Sequence, residues 1–170
     1  MLLASAPRTV VIVKEKNNSN FYCAYFLDDY ETGKDFITTP SHLTIVPPFV
    51  TDRRDFLDVL NDVTVKNSPF DLEIGDSAMF GPNNDTPVFL IKPNYILHMI
   101  HKSLLDGMGQ RGIFLPDGQY AGDNYNPHIT IGGCENLHSG VLINLNHISV
   151  IEKHEGTKTI LARYALRGNK

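Results

Sequence analysis

Cysteine is nearly absent from this 170-residue chain: Cys23 and Cys134 are the only two, and no C-x-x-C pair occurs. That excludes a disulfide framework and a thiolate zinc site of familiar spacing, and it makes a reducing, cytoplasmic setting the expectation. Long apolar runs are missing as well, so no membrane-spanning segment is expected. The opening MLLASA is too short for a secretory leader and lacks its basic start. Positive charge is in deficit: the formal net charge is −4 and the isoelectric point about 5.9. No global positive field exists to hold a long polyanion through many phosphates, so binding to long nucleic acid is not expected. Linkers, low-complexity tracts and charge blocks are also lacking. With 42% hydrophobic and 20% charged residues, the chain reads as one domain over 1–170 with a single good core, and a monomer is the default.

What is present is a repeated pair. His42-Leu43-Thr44-Ile45 and His128-Ile129-Thr130-Ile131 each separate a histidine from a threonine by one aliphatic residue and follow with another. In a strand, residues two apart share a face. Each segment therefore presents an imidazole and a hydroxyl together and sends its aliphatic residues to the core. Pro40 and Pro127 introduce the two segments, and Pro47-Pro48 and Gly132-Gly133 read as the turns that end them. A single H-x-T on a half-buried strand is ordinary structure. Two copies with matching flanks, one in the first third of the chain and one in the last, point to chemistry. Two facing imidazoles can divide a proton transfer, one accepting and one donating, because their pKa lies near neutrality.

The rest of the pattern mixes strands and helices. Strands are expected at 9–13, 22–27, 70–74 and 88–91, and a hairpin over 141–151 and 158–166 turning at Glu155-Gly156. Thr51 is the expected cap of a helix burying Phe56, Leu57, Leu60 and Val63. A second helix begins at the capping Asn94, buries Ile96, Leu97, Ile100, Leu104, Leu105 and Met108, and stops at Gly109. The irregular stretch 109–126 runs straight into His128 and is a candidate lid.

The two motifs, with Val46-Pro47-Pro48-Phe49 after the first and Tyr125-Asn126-Pro127 before the second, resemble those of the 2H phosphoesterase superfamily, which includes 2′-5′ RNA ligase-like proteins and cyclic phosphodiesterases. The resemblance implies an α+β, bilobal fold: two pseudo-symmetric antiparallel sheets with outer helices and a central groove that takes one motif from each lobe. It also implies that His42 and His128 are the acid and base, in an order the sequence leaves open, and that Thr44 and Thr130 donate hydrogen bonds to phosphate oxygens.

Further candidates for substrate binding are Phe49, Phe80, Tyr120 and Tyr125, where a base could stack, and Arg111, which could pair with phosphate. His98 and His101, three apart on the second helix, have chelating spacing but no recognisable third ligand, so no metal or other cofactor is expected. His138, His147 and His154 read as structural or exposed. The expected function is metal-independent cleavage of 2′,3′-cyclic, 2′,5′-linked or cyclic (oligo)nucleotide phosphodiesters, with a nucleotide or short oligonucleotide as partner and with degradation of nucleotide immune signals among the roles the family allows. The alternatives are RNA-end processing or 2′-5′ ligation on tRNA-like RNA, and a nucleotide-binding module without catalysis.

Overall fold

The computed structural model describes residues 19–116, 120–131 and 136–168; the strand expected at 9–13 and the turn expected at Gly132-Gly133 lie outside them, as do residues 117–119 of the candidate lid. In chain order the elements are β1 (Ser19–Phe26), β2 (Asp35–Phe36), β3 (His42–Thr51), α1 (Phe56–Lys66), β4 (Phe70–Phe80), β5 (Thr86–Ile91), α2 (Tyr95–Gln110), a single 3-10 turn at Gly122–Asn124, β6 (His128–Thr130), β7 (Leu142–Leu145), β8 (His147–His154) and β9 (Thr157–Ala165). The strands follow the order β2-β9-β8-β1-β3-β6-β5-β4-β7, and every pairing is antiparallel. The two halves of the α+β fold meet where β3 pairs with β6. The first motif opens β3 and the second supplies all of β6, so the seam between the halves is made of the two motifs.

The core lies on the helix side of this sheet. Leu43, Ile45 and Ile129 project there with no exposed surface and join Phe56, Leu60, Leu97, Ile100 and Leu104 of the helices. The second helix starts as expected: Asn94 Oδ1 accepts from the Leu97 N–H at 3.0 Å, satisfying a donor that a helix start leaves free. Its buried face is Leu97, Ile100, His101, Leu104 and Met108, whereas Ile96 is 43% exposed, one position around the helix from the apolar stripe. The first helix differs at its start. Thr51 ends β3 and its hydroxyl accepts from the Arg53 N–H, while Asp55 occupies the cap without a side-chain bond to the helix backbone. α1 approaches α2 where Gly107 faces Val59: a Cβ at Gly107 would lie 2.5 Å from Val59 Cγ1, so only glycine permits this spacing.

Pro47 and Pro48, expected as a turn, lie inside β3, which continues to Thr51. Between Phe21↔Phe49 and Cys23↔Val46, β3 carries one residue more than β1, and a bulge is where a strand tolerates residues that cannot donate to the ladder. A second shift between Cys23 and Ala24 accounts for Ile45 and Val46 both being buried in succession. The first strand of the expected hairpin divides at Asn146: β7 pairs with β4 at one end of the sheet and β8 with β1 nearer the other. The hairpin turn itself is as expected, with Glu155 at φ 46° and Gly156 at φ 85°, the left-handed pair of a type I′ hairpin.

Candidate active site

The antiparallel register sets His42 opposite Thr130 and Leu43 opposite Ile129. Alternation then does the rest: His42, Thr44, His128 and Thr130 stand half-buried on the face away from the helices, a constellation built from two strands 86 positions apart by nothing more than period-two geometry.

Each imidazole is held in the same way. His42 Nδ1–H donates to the Pro40 carbonyl at 2.8 Å, and His128 Nδ1–H donates to the Asn126 carbonyl at 2.8 Å. Because a carbonyl can only accept, Nδ1 carries the proton in both rings, and Nε2 is left for a ligand. Burial holds His42 below its ordinary pKa; the Pro40 carbonyl partly offsets this, and the charges of His128 and Lys158 lower it further. His42 also rests against Tyr22 and Phe26 at 6.2 and 5.9 Å between centroids. On the other side Phe80 meets His128 edge-on at 4.7 Å.

A groove of about 650 Å³ opens beside these groups, a volume that suits a small ligand. Thr44, His128, Phe80, Tyr120, Tyr125 and Asn126 are among the residues that line it. Two of the residues expected to bind substrate lie elsewhere. Phe49 has no exposed surface and packs between Phe21 and Phe56 at 5.9 and 5.2 Å, in the same core as Leu43 and Ile45. Arg111 caps the far end of α2, where its guanidinium donates to the Gly107 carbonyl at 3.1 Å, and lines a separate cleft between the two helices. Tyr125 reaches the groove only at its edge. It is 8% exposed, and burial pushes its phenol pKa up.

His101, which the sequence offers only as half of a pair of chelating spacing, is a buried brace. Its Nδ1–H donates to the Ile45 carbonyl at 2.7 Å, and its Nε2 accepts from the Gly122 N–H at 2.9 Å, which fixes one neutral tautomer. Both nitrogens are thus committed, which removes His101 as a metal ligand. Tyr125 stacks on the ring at 3.9 Å with planes 8° apart, and its hydroxyl donates to the Thr44 carbonyl at 2.9 Å. One helix therefore fixes both the backbone of the first motif and the approach to the second. Only a spatial view exposes this, since nothing in the spacing of His98 and His101 separates a chelator from a brace. Among the described residues no group of three or more His, Cys, Asp or Glu converges on a metal position, and no helix is long and apolar enough to cross a membrane.

The brace has a pH consequence. Burial, as the largest cause, lowers the pKa of His101 below 6.5 and that of His147 to about 4. A histidine with a depressed folded pKa binds fewer protons folded than unfolded, so its stabilisation is complete above about 6.5 and is lost as the pH falls through the folded value. Urea unfolding should give a stability that is flat above about pH 7 and declines from about pH 6.5 toward 4. His101→Gln and His147→Gln should each flatten that decline; an unchanged slope in both would remove the buried imidazoles as its cause.

Comparison with known proteins agrees with this geometry. The family model described as the 2′-5′ RNA ligase superfamily matches residues 30–139, a span that takes in both motifs. Proteins of Bacillus cereus strain AH820 and Bacillus thuringiensis strain Al Hakam, each named "Putative phosphoesterase", are 26% identical over 100 residues, covering 57% of this chain and 54% of theirs. The chain thus spans about half the length of the curated relatives it matches. Among solved structures, TT0787 of Thermus thermophilus aligns with a TM-score of 0.58 at 18% identity, covering 89% of this chain and all of that one. E. coli LigT complexed with NADP+ aligns at 0.57 and 16%, covering 88% and 98%; LigT complexed with 3′-AMP aligns at 0.56 and 14% with the same coverage. These likenesses share the fold. With two H-x-T pairs on one face of the sheet and a family match over most of its length, the chain belongs to the 2′-5′ RNA ligase superfamily, the 2H phosphoesterases.

Proposed function

We propose that this chain is a metal-independent phosphodiesterase that cleaves 2′,3′-cyclic, 2′,5′-linked or cyclic (oligo)nucleotide phosphodiesters by acid–base catalysis between His42 and His128. The observation that carries the reading is the β3–β6 pairing, which sets two imidazoles on one face, each with Nδ1 tied to a backbone carbonyl and Nε2 free. A phosphate bound between them loses one P–O bond and gains another. His42, kept neutral by burial, takes the proton from the attacking water or hydroxyl at Nε2, and His128 gives one to the departing oxygen. Thr44 and Thr130 donate to the non-bridging oxygens, where negative charge must be held. Because the two imidazoles move both protons, the chemistry needs no Lewis acid.

The groove favours small substrates. Phe80 and Tyr120 offer ring faces for a base, and the stretch before the second motif covers a bound nucleotide through Tyr120 while His101 and Thr44 pin its later part. That LigT has been crystallised with 3′-AMP and NADP+ makes nucleotides the natural ligands to test. A monomeric, cytoplasmic enzyme acting on nucleotide signals is the setting this reading favours.

Incubating the protein with a panel of cyclic and linear 2′- and 3′-linked nucleotides in excess chelator, with products identified by mass, tests it. Cleavage at a ribose 2′-oxygen linkage is expected. Activity that vanished in chelator and returned with zinc or manganese would overturn the metal-independent mechanism. A strong preference for a tRNA-sized RNA with the same linkage, rising steeply as salt falls, would move the protein to RNA-end processing. Thr44→Ala and Thr130→Ala should each lower kcat/KM by an amount equivalent to roughly 2–4 kcal/mol, as for other donors to a developing oxyanion. Unchanged rates in both would make the threonines structural.

A further inference from the structure

Beside His42, on the β1–β8–β9 side of the groove, is a set of donors that the two motifs do not use. Lys158 on β9 donates from Nζ to Thr39 Oγ1 at 2.6 Å, and its charge reaches His42. In the β8–β9 ladder Lys158 lies directly opposite Lys153, an arrangement in which like charges repel. Burial and Lys153 together hold Lys158 below the ordinary ammonium pKa. Among the described residues neither lysine forms an ion pair; Asp35, on the strand paired with β9, accepts from the Thr159 hydroxyl instead.

Tyr22 completes the set. Its ring centroid is 5.9 Å from Lys153 Nζ and 6.2 Å from the centroid of His42. The residue is 5% exposed, and its hydroxyl has no hydrogen-bond partner. Burial raises the Tyr22 pKa and the neighbouring Thr39 hydroxyl offsets part of the rise, yet no bond of ordinary geometry reaches the phenol oxygen. Buried donors are normally paired, and among the described residues no carboxylate pairs with either of the two facing ammonium groups. A phosphate would supply acceptors to all of them at once, since Thr39, which accepts from Lys158, keeps its own hydroxyl hydrogen to donate.

We propose that Lys158, Lys153, Tyr22 and Thr39 form a second anion subsite, which binds a phosphate group of the nucleotide other than the scissile one and so sets specificity for nucleotides carrying an additional phosphate. The identity of the ligand rests on the phosphodiesterase reading above; the site rests on its own four residues. Calorimetric titration with adenosine 2′-monophosphate and with adenosine 2′,5′-bisphosphate, at pH 7.5 and fixed salt, measures what the second phosphate adds. The wild-type protein should bind the bisphosphate about tenfold tighter, as charge-assisted bonds to one phosphate allow. Lys158→Gln should bring that ratio close to one, and Tyr22→Phe should reduce it several-fold. The ratio is internal to each protein, so a variant that folded poorly would weaken both ligands alike and leave it standing. Equal affinity for the two ligands in the wild type, no binding of either, or an undiminished ratio in Lys158→Gln would overturn the subsite. A preserved bisphosphate preference in a protein that turns over none of the 2′,3′-cyclic, 2′,5′-linked or cyclic nucleotides would sustain the subsite while ending the phosphodiesterase reading.

Discussion

Replacing either His42 or His128 with alanine is expected to lower kcat/KM by about 10²–10⁴-fold, the usual worth of a positioned general acid or base, with the fold retained. Both imidazoles stand half-buried on the sheet face away from the core, and in each case the carbonyl that loses its Nδ1–H partner sits in a segment water can reach. The double variant should fall little below the worse single one, because two groups whose proton transfers serve one displacement act as a unit. Rates are to be compared on a 2′,3′-cyclic nucleotide, with circular dichroism confirming the fold. Near-wild-type turnover in either variant would end the two-histidine mechanism.

The face that carries the two motifs is legible in the sequence for a simple reason. A strand alternates strictly, so H-x-T commits its imidazole and hydroxyl to one side whatever the rest of the fold does, and the structure adds that the two strands pair with each other directly. The capping Asn94 and the Glu155-Gly156 turn are legible for equally local reasons. What escapes is whatever depends on a break in the period or on distant contacts. Pro47-Pro48 reads as a turn because proline cannot donate, but a bulge absorbs that defect within a strand. Phe49, by contrast, keeps the parity of Leu43 and Ile45 and joins them in the core, the side on which alternation places it. His101 looks like one of a helical pair until β3 and Gly122 come to meet both its nitrogens. The cluster of Tyr22, Thr39 and Lys158 draws on separate parts of the chain with no shared motif, and Lys158 stands out only once Lys153 is seen across the ladder from it.

Phe49→Ala is expected to cost about 3–5 kcal/mol of folding stability, the range for emptying a fully buried aromatic position. The ring sits between Phe21 and Phe56, Phe21 itself packs on Phe56 at 5.1 Å, and none of the three has exposed surface. Collapse of the site is therefore restricted, because β1, β3 and α1 each contribute one ring and would have to move together. The loss is read as a lower urea midpoint with little change in the slope of the transition. Under conditions where the variant remains folded, its KM should stay near wild type, since the ring is remote from the groove. A stable variant with a raised KM would return Phe49 to the substrate surface.

The central claim is that two coupled imidazoles carry the two proton transfers, and the dependence of kcat/KM on pH tests it most directly. On a 2′,3′-cyclic nucleotide in excess chelator, the wild-type profile should be bell-shaped between about pH 5 and 9, because one histidine must be neutral and the other charged. The acidic limb should fall below the ordinary histidine value of 6.5, since burial lowers the pKa of His42. Both limbs should move when either histidine is replaced, because interacting groups titrate as a pair. A profile that is flat over this range, or a bell that survives unchanged in His42→Ala or His128→Ala, would contradict it.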